Sequence, residues 1–232
     1  MKILALDSSA VAASVALCED ETLLAEYTIE SRNTHSRNLL PMIESMLSLF
    51  DLSVDEIDLF AASAGPGSFT GVRIGAATLK GLAFDTEKPC IGVSTLEALA
   101  ENLSMMTGLV VPVMNARRKQ VYTALFRVDN GKAMRLLEDS AIAITELDEI
   151  LSAYGEPVYL VGDGYEITKE LLTHAIHPTH ERLKRQSAYS VAQVALRQFQ
   201  SGKITNDVDM VPSYLRPSQA ERERNERMKN QK

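Results

Sequence analysis

Apolar and polar positions change period several times along the 232-residue chain, and each change marks an element. Residues 2–7 are an apolar run ending on Asp7, which predicts a buried strand. Residues 10–19 and 21–29 predict two more strands about a turn at Glu19-Asp20, giving a meander of hairpins. Leu39, Leu40, Ile43, Met46, Leu47 and Phe50 repeat at helical spacing and predict a helix over about 36–50. Thr34 or Ser36 can cap it, and Pro41 falls in its first turns, where a missing N–H costs least. A buried strand at 57–64, a helix at 71–84, a short strand at 90–93 and a helix at 94–103 complete this half.

The second half repeats the order. Residues 109–114 and 121–128 are strand-like, Asp129-Asn130-Gly131 is a hairpin turn, and a third strand covers about 133–140. Thr145, with Asp148 three residues on, opens a helix to about 153; a strand at 158–161 and a helix from Tyr165 follow. A three-strand antiparallel meander followed by helix, strand and helix thus occurs twice, as a repeat of topology. The predicted fold class is α/β, with two similar lobes: 1–103, a reduced second lobe at 104–211, and a charged tail at 212–232. The second lobe includes an amphipathic helix at 190–199, and residues 212–217 form an extended, proline-bounded segment. This order suggests the actin-like ATPase (ASKHA, ribonuclease H-like) architecture. There the first hairpin cradles phosphates and an Asp at its start holds a cation through water. Asp7, Ser8 and Ser9 stand in that position, and an Asp ending a buried strand also serves as a cap. Fold analogy alone does not establish activity.

Charge and composition narrow the classes. Apolar content of 45% with 24% charged residues is that of an ordinary globular domain. A net charge of −7 argues against a body that grips nucleic acid through phosphate attraction. Only the tail from Arg216, with six basic and three acidic residues in alternation, favours RNA or an acidic partner, and such alternation also suits a solvated helix. Cys18 and Cys90 sit in apolar surroundings and make no disulfide framework. The N-terminus meets Asp7 too early for a signal peptide, and no apolar run approaches ~18 residues, so the expected location is cytoplasmic.

The most constrained stretch is 63–75. Gly65-Pro66-Gly67 makes a sharp turn between strand and helix, and Ser68 or Thr70 caps the helix. The geometry suits either a tight connection or an anion site, but it lacks the Lys-Ser/Thr ending of a P-loop. Gly71, Gly75 and Thr78 give the helix one face almost without side chains, beside a stripe of Val72, Ala76, Leu79 and Ala83. Glycine costs a helix about 1 kcal/mol per position, so the pair implies close docking, within the chain or with a partner. Other candidates are weaker. Pro178 breaks any helix joining His174, His177 and His180, which read as a polar loop. His35 has no nearby carboxylate or cysteine in sequence. Gly162-Asp163-Gly164 either approaches a nucleotide or turns the chain, and Asn115 to Arg118 either contacts phosphate or forms a solvated turn. No Gly-x-Ser-x-Gly elbow is present.

Residues 65–75 (Gly-Pro-Gly-Ser-Phe-Thr-Gly-Val-Arg-Ile-Gly) resemble the signature of the bacterial TsaB (YeaZ) family. So do Ile3-Leu4-Ala5-Leu6-Asp7-Ser8-Ser9, residues 35–42, residues 91–96 and Pro212-Ser213-Tyr214-Leu215-Arg216; the matches run in order over nearly the whole chain. The resemblance implies a role in making threonylcarbamoyladenosine next to the tRNA anticodon. In that family a TsaD paralogue performs the transfer with a metal held by a His-x-x-x-His helix, a spacing no two histidines have here. The implied job is that of a non-catalytic subunit that docks TsaD and works with the ATPase TsaE, meets tRNA through the complex, and forms a homodimer when alone. No metal or cofactor is implied, beyond weak ATP or ADP binding at a vestigial Asp7-Ser8-Ser9 site. The family's docking helices correspond to those at 36–50 and 71–84. The expected contact residues are His35, Leu39, Met42, Ile43, Met46, Val72, Gly75, Ala76 and Leu79; the alternative is that half of them face the internal sheet. The rival classes are a stand-alone ATPase or kinase-like enzyme using Asp7, a peptidase as older labels for the superfamily suggest, and a homotypic scaffold.

Overall fold

The N-terminal apolar run forms β1 (Lys2–Asp7), buried from Ile3 onward. A computed structural model describes residues 1–31, 34–216 and 228, so the tail beyond Arg216, residue 228 apart, lies outside the described residues. β2 (Ala13–Glu19) and β3 (Thr22–Ile29) follow as antiparallel hairpins, with Asp20 at positive φ in the turn between them. β4 (Leu59–Gly65) and β5 (Cys90–Ser94) add in parallel, giving the order β3-β2-β1-β4-β5. Parallel neighbours need crossovers. Here these are α1 (His35–Leu49) and α2 (Phe69–Ala83), which cover one face of the sheet.

The second sheet repeats the plan with β6 (Gly108–Asn115), β7 (Gln120–Asp129), β8 (Lys132–Ala143), β9 (Val158–Val161) and β10 (Ile176–His177), in the order β10-β9-β6-β7-β8. Asn130 and Gly131 both take positive φ, the geometry that closes a two-residue hairpin. α4 (Ile144–Ser152) and α5 (Tyr165–Leu171) cover one face of this sheet. This is the expected twin-lobe α/β architecture. β10 has only two residues and no apolar run of its own, so no periodicity marks it. Asp148 does not serve the start of α4: its carboxylate instead accepts from the Thr173 and His174 amides at 3.1 and 2.9 Å.

Packing departs from the linear lobe boundaries. α3 (Thr95–Glu101) follows β5 yet buries Leu96, Leu99 and Ala100 against the second sheet. α6 (Ala188–Gln200) follows β10 yet buries Val191, Val194 and Ala195 against the first sheet. Each half thus lends its last helix to the other. The α6 start is fixed by Glu26 of β3, which accepts from the Ser187 hydroxyl at 2.7 Å and the Tyr189 amide at 3.1 Å. Asn102, just past α3, donates to the carbonyls of Leu183 and Arg185 and accepts from the Ser190 hydroxyl at 2.6 Å, tying the two chain crossings together. No described helix is long and apolar enough to cross a membrane.

Candidate functional site

β1 delivers Asp7 to the head of the first hairpin, 1% exposed. Its Oδ1 accepts from the Ser9 amide at 2.8 Å and the Ser9 hydroxyl at 2.7 Å. Its Oδ2 accepts from the hydroxyl of Ser63, on the neighbouring strand β4. Burial pushes the carboxyl above the usual carboxylate range; the Ser63 and Ser9 bonds pull the other way without cancelling it. Both oxygens are thus engaged by the chain itself. A lone hydroxyl inside the apolar run of β4 was the signal for Ser63, because a buried hydroxyl needs a partner.

The raised value has a sign that can be checked. Folding takes up a proton between the ordinary value of 3.8 and the higher folded one, so this group's stabilisation is present in acid and lost as pH rises through that window. Asp7→Asn has no charge to desolvate. Its urea midpoint, relative to the native chain, is expected to climb from pH 4 to pH 7.5; a gap that shrinks with rising pH would contradict the assignment.

The glycine turn closes over this hairpin. Ser68, rather than Thr70, caps α2 by accepting from the Gly71 amide at 3.2 Å. The Ser68 amide donates to the Ser9 carbonyl at 2.7 Å, and the Ser8 hydroxyl to the Gly71 carbonyl at 2.9 Å. A Cβ on Gly71 would stand 2.0 Å from the Ser8 carbonyl oxygen, on Gly67 2.5 Å from that of Ser9, and on Gly75 2.5 Å from Ser8 Oγ. The side-chain-free face of α2 is therefore used inside the chain, against Ser8 and Ser9. Gly65 and Pro66 are buried, and Gly65 packs against Ser213, whose amide donates to the Ala64 carbonyl at 2.6 Å.

The same packing decides where the nine expected contact residues point. Leu39, Met42, Ile43, Met46, Ala76 and Leu79 are 0–7% exposed and belong to the core between α1, α2 and the first sheet, and Val72 is buried at 2%. Gly75 is buried as well. His35 is half-buried, its Nε2 2.8 Å from the Ala10 carbonyl oxygen. Eight of the nine are thus buried within the chain itself. The outer faces of the two helices carry other residues: Leu40 and Glu44 on α1, Arg73 and Gly81 on α2, and Phe84 at its C-cap, 75% exposed.

Between the lobes lies a cavity of about 680 Å³, lined among others by Ser9, Val11, Phe69, Asn115, Arg117, Asp163 and Tyr214. Asp163, at the exit of β9, accepts from the Asn115 amide at 3.3 Å. Its surface opens to the cleft, yet crowding by the lobes raises its carboxyl, and the negative charge of Asp7 adds to the effect. The Gly162-Asp163-Gly164 segment turns the chain tightly on β6: Gly162 has φ +116°, and a Cβ there would lie 2.2 Å from the Val113 carbonyl oxygen. Asn115 Oδ1 accepts from the Arg117 amide at 2.8 Å, and Arg117, Arg118 and Lys119 all hold positive φ in the β6–β7 connection.

The three late histidines are separately employed. His174 Nε2 lies 2.7 Å from the Glu156 carbonyl oxygen, His177 stacks on Tyr159 at 4.5 Å, and His180 Nδ1 accepts from the Arg182 amide. Among the described residues no group of three His, Cys, Asp or Glu side chains is placed to hold a metal. Cys18 and Cys90 are free and buried, their thiols pushed up by burial to about 12 and about 11.

The family model of TsaD, tRNA N6-adenosine threonylcarbamoyltransferase, matches residues 22–224. The tRNA threonylcarbamoyladenosine biosynthesis protein TsaB of Bacillus subtilis is 32% identical over 222 residues, 95% of this chain and 96% of that protein. TsaB of Escherichia coli is 33% identical over 221 residues, 93% of this chain and 95% of that protein. Among solved structures, YeaZ from Pseudomonas aeruginosa superposes with a TM-score of 0.80 at 25% identity, covering 92% of this chain and 99% of that one.

Proposed function

The chain belongs to the TsaB (YeaZ) family, and from that premise we propose that it is the non-catalytic partner of a TsaD paralogue in making tRNA threonylcarbamoyladenosine. With the ATPase TsaE it supports transfer of the threonylcarbamoyl group to the adenosine next to the anticodon, and it meets tRNA through the complex. One observation carries the non-catalytic part. At the position where an actin-like enzyme needs a carboxylate free to hold a hydrated cation, both oxygens of Asp7 are engaged by Ser9 and Ser63. The glycine turn also packs directly on Ser8 and Ser9, where phosphate would lie.

The docking part rests on the outer faces of α1 and α2. They lie side by side over one face of the first sheet and expose Leu40 at 45% and Phe84 at 75%. Exposed large apolar side chains on two neighbouring helices are candidate anchors for a protein partner. Light scattering after size exclusion, for the chain alone and mixed with TsaD from the same organism, tests this. The expected result is a new peak at the mass of a heteromer, and modification of tRNA by TsaD and TsaE that stops when this chain is omitted. Two unchanged peaks well above micromolar concentration would remove the partner role. ATP hydrolysis by the chain alone, abolished in Asp7→Ala, would replace it with the kinase-like reading.

A further inference from the structure

We propose that residues 210–216 form a latch across the cleft, anchored in the first lobe and held to the second by Arg216, so that the lobes part by unlatching Arg216 rather than by deforming either sheet. The first-lobe attachment is extensive. Met210 is 2% exposed within the core of α1, α2 and the first sheet. The Ser213 amide donates to the Ala64 carbonyl at 2.6 Å, and a Cβ on Gly65 would come within 2.5 Å of the Ser213 carbonyl oxygen. The Tyr214 ring lies 4.6 Å from that of Phe69, and its hydroxyl accepts from Arg73 Nε at 2.7 Å.

Among the described residues of the strap, its hydrogen bonds to the second lobe come from one side chain. Arg216 Nη1 donates to the Ala116 carbonyl at 3.3 Å, on the β6–β7 connection, and Nη2 donates to Oε1 of Gln120, the first residue of β7. Its guanidinium stands 6.0 Å from the centre of the Tyr122 ring. Both acceptors are neutral groups, and two hydrogen bonds to one guanidinium weight an opening equilibrium by about ten- to a hundredfold. The two chain crossings near Asn102 and Arg185 contribute nothing to the cleft lining, whereas residues 213–216 all do. The lobes are thus pinned at the crossings by shared helices and Asn102, and at the end of β5 by the Ser94 hydroxyl, which donates to Asp139 of β8 at 2.5 Å. Arg216 closes them at the cleft itself.

Hydrogen exchange read by mass spectrometry on the full chain tests the latch, with Arg216→Ala and Gln120→Ala as separate variants and circular dichroism as the check on folding. Gln120→Ala leaves the strap itself intact, so it keeps the test valid if Arg216→Ala destabilises the chain. The expected result is about tenfold faster exchange in 210–216 and 114–122, and also in 10–12 and 66–70 across the cleft, which Arg216 does not touch, with β1 and α6 unchanged. Faster exchange confined to 210–216 and 116–120 would mean a local contact only and overturn the proposal, as would no change in any segment.

Discussion

Gly71→Ala is expected to destabilise the protein by about 3 kcal/mol or to prevent folding, while Gly81→Ala in the same helix stabilises it by about 0.5–1 kcal/mol. Both positions lie inside α2, so both substitutions carry the same gain in helix propensity. What differs is the neighbour. A methyl on Gly81 meets nothing within 4 Å, whereas one on Gly71 stands 2.0 Å from the Ser8 carbonyl oxygen. That oxygen is backbone at the head of the hairpin that also holds Asp7. It cannot give way without breaking the Ser8–Gly71 and Ser9–Asp7 hydrogen bonds. Urea denaturation of the two variants is the measurement. Equal signs at the two sites would mean that α2 can slide away from the hairpin, and with it that the hairpin is less closed than the contacts require. Gly75→Leu follows the same logic, with Ser8 Oγ at 2.5 Å and Leu6 Cδ1 at 3.1 Å from the first added carbon. Such a variant reports on folding before it can report on any partner.

The twin-lobe plan was legible because strand and helix periods are strong local signals. Mostly apolar segments marked β1, β4, β6 and β7, and Asp129-Asn130-Gly131 announced its own hairpin. Asp7 and the glycine turn were legible as a pair of unusual local features. Their mutual contact was not, because Ser8 and Gly71 are 63 positions apart and nothing in a periodicity couples them. The docking residues illustrate a different gap. A helical stripe such as Leu39, Met42, Ile43 and Met46 identifies the apolar face of α1, and an apolar face is the face a helix lays on its own sheet. Leu40 shares the helical spacing of that stripe yet ends 45% exposed, and Phe84 lies just past α2, so only the packed chain separates core from surface. The crossed-over α3 and α6 were hidden for a similar reason: each helix is amphipathic, and amphipathicity does not say which of two sheets is covered.

Leu40→Asp and Phe84→Asp, made separately, are each expected to weaken binding of the TsaD paralogue by about 30-fold or more while leaving the fold intact. Leu40 and Phe84 are 45% and 75% exposed, so a carboxylate at either site stays in water in the free chain and shifts stability by no more than about 0.5 kcal/mol. In a complex the same carboxylate loses its water against an apolar surface, and anchors of this kind are worth about 2 kcal/mol or more. Leu79→Ala supplies the opposite case. Leu79 is fully buried between α2 and the sheet, and its truncation costs about 2–5 kcal/mol of stability. Any loss of binding there should scale with the loss of folded protein and disappear when the fraction folded is restored, for example by cooling or an osmolyte. Titration calorimetry beside thermal melts separates the cases. Folded Leu40→Asp and Phe84→Asp proteins that bind at full strength would move the docking surface off these two helices. The closed hairpin at Asp7 would still stand, because it depends on contacts within one lobe and on no partner.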